Sequence, residues 1–223
     1  MVFRSGIESI FILLFIMISY QLSTAQVAKL YPVDEAARDP SFFIFRARLL
    51  EAIQLRDAAF IISILSPSIK NSFGGNDGIE EFKKFWKPEH SESRLWNTLM
   101  RVVGLGGSFD GNSRFMAPYT YSKFPEEIDG FTHGVIIGEN VRVRKEPGTA
   151  GEVIGTLSYD IVKVIDWEPK TAGANKEKWV LVSLGKEARG YVAETYIRSP
   201  IDYRAGFEKR EGRWELTFFV SGD

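Results

Sequence analysis

The spacing of apolar residues changes three times along the chain. Residues 10–18 (IFILLFIMI) form an unbroken apolar run preceded by Arg4. From residue 39 to about 103 the apolar positions recur at helical spacing, and from 135 to about 200 they alternate in short bursts. The last twenty residues return to longer alternation. The helical part opens at Asp39-Pro40, an aspartate N-cap followed by a proline whose missing N–H does no harm in the first turn. Phe42, Phe45, Leu49 and Ile53 then mark one helical face. A second helix is predicted over 56–65, stopped by Ser66-Pro67, and a short strand over 69–73. Asp77-Gly78-Ile79-Glu80 reads as a capping box, and Ile79, Phe82, Phe85 and Trp86 as the buried stripe of the helix behind it. A further helix carries Leu95, Leu99, Val102 and Val103 and ends at Gly104. A strand is predicted over 113–121.

Beyond residue 135 the period is two. Val141-Arg142-Val143-Arg144 alternates, as do Val162 and Val164, and glycine- and proline-rich turns separate several short strands, the signature of a small all-β barrel. The chain closes on a hairpin. Tyr203, Ala205 and Phe207 share one face of its first strand, and Trp214, Leu216, Phe218 and Val220 one face of its second. Two strands are not stable alone, so the hairpin must complete a sheet begun elsewhere. The fold class is therefore α+β.

The N-terminal run has the layout of a secretory signal peptide, with Ser23 and Ala25 as small residues before a cleavage point at Gln26. At nine residues, the run is shorter than the ~20 a membrane-spanning helix needs. The mature chain is expected in a periplasm or outside the cell, with residues 26–38 as a connector of little pattern. The absence of cysteine excludes disulfides, thiol nucleophiles and a lipidated N-terminus. A net charge of −1 gives no electrostatic case for nucleic acid.

The catalytic inventory is thin. His90 and His133 are the only histidines and lack the paired spacing of a zinc site. A Gly-x-Ser-x-Gly elbow is missing. Asp57, Glu80 and Glu81 lie at predicted helix starts, where capping explains them. The glycine-rich stretch 104–111 has Phe109 where a dinucleotide fingerprint needs its third glycine, so no cofactor is implied.

Residues 135–200 resemble bacterial SH3 (SH3b) domains. Asn140-Val141-Arg142-Val143-Arg144, Pro147-Gly148 and Val153-Ile154-Gly155-Thr156-Leu157 look like that family's first strand, long loop and next strand. Trp179-Val180-Leu181-Val182, Gly190-Tyr191-Val192 and Ala193-Glu194-Thr195-Tyr196-Ile197 look like its Trp strand, its Gly-Tyr-Val strand and its closing turn. The flanks, 39–130 plus 201–223, weakly resemble a nuclear-transport-factor-2-like α+β roll, into which the SH3-like barrel would be inserted. The resemblance implies a non-catalytic binding module for cell-wall (peptidoglycan) peptide or an envelope protein. Cell-wall peptidases that carry such modules use a Cys/His pair, which this chain cannot supply. Tyr159, Trp167, Tyr191 and Tyr196 are candidate ligand-binding residues, because aromatic faces with polar tips suit extended peptides, and Asp160, at the edge of the strand 161–165, is a candidate partner for a basic ligand group. A roll cavity serving a small ligand or an isomerase-type reaction is the alternative reading, and a structural subunit of an envelope assembly a third.

Overall fold

The computed structural model describes residues 28–169 and 177–222. The expected leader (1–25) and residues 170–176 lie outside the described residues. The fold is mixed α+β with two sheets. Five helices are described: α1 (Pro40–Leu55), α2 (Ala58–Ser63), α3 (Ile79–Trp86), α4 (Leu95–Val103) and α5 (Tyr119–Ser122). The first sheet contains β1 (Leu65–Lys70), β2 (Ser108–Asp110), β3 (Arg114–Ala117), β11 (Arg204–Arg210) and β12 (Arg213–Val220), in the order β1-β12-β11-β3-β2. The C-terminal hairpin thus sits in the middle of a sheet whose other strands come from residues 65–117. β12 pairs in parallel with β1, Leu65 opposite Leu216, and β11 pairs antiparallel with β3, Ala205 opposite Ala117.

Helices α1, α3 and α4 cover one face of this sheet. Asp39 caps α1 as its sequence implies, accepting from the Ser41 and Phe42 N–H groups at 2.7 and 3.1 Å. The cap places Phe42, fully buried, at the centre of a ring cluster. Its centroid lies 4.2 Å from Phe115, 4.7 Å from Trp214, 5.6 Å from Phe109 and 5.8 Å from Phe207. A second cluster sets Trp86 5.0 Å from Phe219 and 5.1 Å from Tyr203. Rings at these separations fill the space between the helices and the sheet.

Several local expectations are corrected. α2 ends at Ser63, and β1 starts at Leu65 and runs through Ser66-Pro67; the proline is tolerated because β1 is an edge strand. The residue at the N-cap of α3 is Gly78, not Asp77, whose carboxylate is taken by Lys70 Nζ at 2.6 Å and the Asn71 N–H at 3.3 Å. Phe85 is exposed, because α3 buries only Phe82 and Trp86. The strand predicted over 113–121 stops at Ala117, since Pro118 leads into α5. In β12 the alternation breaks: Gly206 faces Phe218, yet Phe207 faces Leu216, so Thr217 is an extra residue and Phe219 enters the core in place of Phe218. Gly206 is needed there, because a Cβ would lie 2.1 Å from the Phe218 ring.

The second sheet comprises β4 (His133–Ile136), β5 (Val141–Arg144), β6 (Val153–Leu157), β7 (Ile161–Asp166), β8 (Trp179–Ser183), β9 (Arg189–Ala193) and β10 (Ile197–Arg198). Their order is β10-β4-β7-β8-β9-β5-β6. This corrects the expected closed barrel: the sheet is open, with β10 and β6 as its edges. Its inward residues, among them Ile136, Val141, Val143, Val164, Val180, Val192 and Ile197, still share one apolar cluster, so the sheet bends over a common core.

Residues 28–38 also depart from expectation. They form a strap joined to both sheets. The Leu30 N–H donates to the Tyr159 carbonyl at 2.8 Å and the Ile161 N–H to the Ala28 carbonyl at 2.7 Å. Five residues on, the Gly107 N–H donates to Val33 and the Glu35 N–H to Gly107, both at 2.9 Å. Gly107 admits no side chain, since a Cβ would lie 2.1 Å from the Met116 carbonyl oxygen. Under the strap, Leu30, Tyr119, Val135 and Ile161 form a small apolar cluster between the sheets. Burial, with a lesser contribution from Tyr159, pushes the Tyr119 phenol up to about 12, so it stays protonated.

The ring cluster generates a test. Phe42→Ala should destabilise the fold by about 3–5 kcal/mol in urea unfolding, while Phe43→Ala on the exposed side of α1 should change it by no more than about 0.5 kcal/mol. Equal effects from the two would contradict the packing described.

Candidate functional site

Among the described residues, a cleft of about 800 Å³ lies on the second sheet, between β5, the start of β8, the end of β9 and the 3-10 turn Glu194–Tyr196. Backbone pairing positions it. Trp179 and Ala193 stand opposite in the β8–β9 ladder, and the Glu194 N–H donates to the Lys178 carbonyl at 2.9 Å. The Ile137 N–H donates to the Tyr196 carbonyl at 3.0 Å, which ties the far end of the turn to β4. Across the cleft, Asn140 takes a left-handed conformation (φ 52°) and its N–H donates to Ser158 Oγ at 2.8 Å, turning the chain into β5. Arg144 is buried and donates to the Gly151 carbonyl at 2.6 Å, holding the β5–β6 loop with Thr149 against the cleft.

The walls are amphoteric. Glu139, Glu177 and Glu194 face Arg142, Arg144 and Lys178, so neither sign dominates. Two aromatic side chains line the cleft: Trp179, buried with its indole N–H unpartnered, and Tyr196, 52% exposed at the rim. Such a surface suits an extended ligand carrying both charges and exposed amides. A polyanion would meet as many carboxylates as cations.

The five residues expected to bind ligand do not gather into one site. Tyr196 lines the cleft. Tyr191 sits on β9 opposite Arg144 and Leu181, on the same face as Ala193 by alternation, but outside the cleft. Trp167 lies beyond β7, over Gly134, and lines a smaller pocket beside α4. Tyr159 and Asp160 anchor the strap at the entry of β7. The Tyr159 ring lies 5.4 Å from that of Tyr31. Asp160, 5% exposed, holds Lys29 Nζ at 2.8 Å and accepts from the Ser158 N–H at 2.6 Å. Its lone pairs are thus committed within the fold. Arg142, Lys178, Glu139 and Glu177 were not singled out from the sequence. Only the outward phase of Arg142 between Val141 and Val143 could have pointed to it.

The carboxylates weighed as acid or base are spent on structure. Asp57 accepts from the Phe60 N–H at 2.9 Å, and Glu80 and Glu81 pair with Lys83 and Lys84 on the exposed side of α3. Among the described residues no three His, Asp or Glu side chains are grouped to hold a metal ion. Comparison with protein-family models, curated proteins and solved structures finds no match to this chain.

Several carboxyls are held below their ordinary values, among them Glu35 in the strap, Asp39 at the α1 cap and Glu208 on β11. Burial alone would raise Glu35, but the Phe109 N–H, Arg38 and Lys123 outweigh it and hold the carboxyl below its ordinary 4.5. The Ser41 hydroxyl, against some desolvation, holds Asp39 below 3.8, and Arg210 holds Glu208 below 4.5. Each folded value lies below the unfolded one, so each group adds stability above its ordinary value and loses it as pH falls. Unfolding free energy should therefore be level from about pH 7 to about pH 5.5 and decline below about pH 4.5. Glu35→Gln should flatten part of that decline in urea titrations at stepped pH; an identical profile would remove Glu35 from the account.

Proposed function

We propose that this is an exported, non-catalytic binding protein, and that the cleft along β5, β8 and the Glu194–Tyr196 turn takes an extended peptide of mixed charge, with cell-wall peptide as the first candidate and an envelope protein as the second. The observation that carries this reading is the amphoteric wall around Trp179 and Tyr196. The export signal read in the sequence and the resemblance of residues 135–200 to bacterial SH3 domains support it. The matching pieces coincide with β5, β6, β8, β9 and the closing turn. On this proposal residues 135–200 are an SH3-like module, inserted between 39–130 and 201–223 of a roll-like scaffold.

The packing around Phe42 argues against a small-ligand carrier or an isomerase built on the roll. The interior between the helices and the first sheet, where a roll would keep its cavity, holds Phe42, Phe115, Phe207 and Phe219, all buried, and leaves an open groove of about 640 Å³ between α1, α2 and β1.

Purified peptidoglycan should co-sediment with the full chain, and Tyr196→Ala should weaken that binding by roughly tenfold or more, as truncation of an exposed aromatic anchor does. Tyr191→Ala, outside the cleft, should have a much smaller effect. Sedimentation that survives Tyr196→Ala unchanged would move the site elsewhere. If the wild type does not sediment, the cell-wall assignment fails.

A further inference from the structure

Helix α1 buries Phe42, Leu49, Ala52 and Ile53 toward the first sheet, yet its opposite face is not uniformly polar. Ile44, Arg48, Glu51 and Leu55 are all exposed. They recur at i, i+4, i+7 and i+11, which sets them within about 60° of one another in a stripe about 16 Å long. Its apolar ends stand well out of the surface, Ile44 61% and Leu55 72% exposed. A helix with apolar residues on opposite faces is normally covered on both, and no described residue covers this stripe. We infer that the stripe is an interface between two copies of this chain, their α1 helices packed antiparallel across a two-fold axis.

The order of the four residues carries the inference. Along the helix it reads apolar, cation, anion, apolar. Laid against its own copy in reverse, with the crossing level with residues 49 and 50, the stripe sets Ile44 against Leu55 and Arg48 against Glu51, each twice. Parallel packing would set Arg48 against Arg48 and is excluded by repulsion. Both charges are available. The ion pairs of α1 and the chain leading into it are Arg38–Glu35, Asp39–Lys209 and Arg46–Asp34, and among the described residues neither Arg48 nor Glu51 takes part in one. The Arg48 guanidinium only lies over the Phe60 ring, 5.9 Å from its centroid. Ala47, exposed beside the crossing, lets the two axes approach to about 10 Å.

The same two charges choose between occupants. A lipid surface or an apolar groove would strip water from Arg48 and Glu51 without pairing them, which is unfavourable. A partner of one sign would repel one of the two. A second copy satisfies both and covers both apolar ends. One helical stripe is smaller than the ~800 Å² that each partner buries in a standard interface, so the dimer is a weak one, with dissociation in the micromolar range. None of these residues borders the peptide cleft, so the dimer and the cleft stand or fall separately.

Sedimentation equilibrium of the full chain, from micromolar to submillimolar concentrations at low ionic strength, reads the association directly. The wild type should be a monomer–dimer mixture that shifts toward monomer as salt is added. Arg48→Glu and Glu51→Arg should each weaken the dimer by about tenfold or more, because like charges then face each other. Mixed in equal amounts, the two variants should recover the dimer to within about threefold of wild type, since each supplies the charge the other lacks. A role of the two side chains within their own helix cannot produce that rescue between chains. A wild type that stays monomeric throughout would overturn the inference, whatever else binds the stripe. So would a dimer indifferent to Arg48→Glu, or two monomeric variants whose mixture remains monomeric.

Discussion

The first half of the molecule depends on β12 lying parallel to β1. Without the C-terminal hairpin, β1 has no neighbour in the sheet and β2-β3 is an isolated ribbon. Bringing Leu65 beside Leu216 closes a very long loop, an entropic cost that grows only slowly with loop length but must be met by contacts made on closure. Those contacts are the rings of Phe207, Trp214 and Phe219 against Phe42, Phe115 and Trp86. The hairpin brings in rings that the helices and β3 cannot bury alone. The same geometry explains how the chain tolerates a second sheet in its middle. Ala117 ends β3 directly opposite Ala205 of β11, so the excursion between them leaves and returns at one point of the sheet.

The strap at residues 28–38 gives the two sheets a defined relation. It hydrogen-bonds to the entry of β7 at Tyr159 and Ile161 and to the entry of β2 at Gly107, with Lys29–Asp160 and Glu35–Phe109 as side-chain fasteners. Arg46 adds a bond from α1 to Asp34 at 2.6 Å. The attachments reach the cleft at one edge: Lys29 Nζ donates to the Ser158 carbonyl at 2.7 Å, and Ser158 Oγ accepts from the Asn140 N–H that borders the cleft.

What could be read from the sequence followed periodicity. Helices α1, α3 and α4, the short strands after 135 and the closing hairpin all announce themselves by spacing, and Asp39-Pro40 fixes its helix start through local chemistry. What could not be read depends on partners distant along the chain. Asp77 looks like a cap until Lys70 takes it, and Phe218 looks like core until the bulge at Thr217 turns Phe219 inward. Ladder closure is likewise a question of which strands end up adjacent, which alternation does not encode, and the expected barrel is an open sheet. The candidate site was legible only in part. Tyr196 stands out by its aromatic, amphipathic character, but the basic partner of Asp160 is Lys29, from a segment with no periodic pattern. The charged walls of the cleft come from three separate stretches, 139–144, 177–178 and 194, so no local motif announces them.

The most direct measurement is amide hydrogen exchange on the full chain with and without soluble peptide fragments released from peptidoglycan. The account predicts added protection at residues 139–144, 178–179 and 193–196, the segments that line the cleft, with α1 and the first sheet unchanged. Protection concentrated instead at residues 41–48 and 60–67, beside the groove between α1, α2 and β1, would place recognition on the scaffold and contradict the cleft as the binding site.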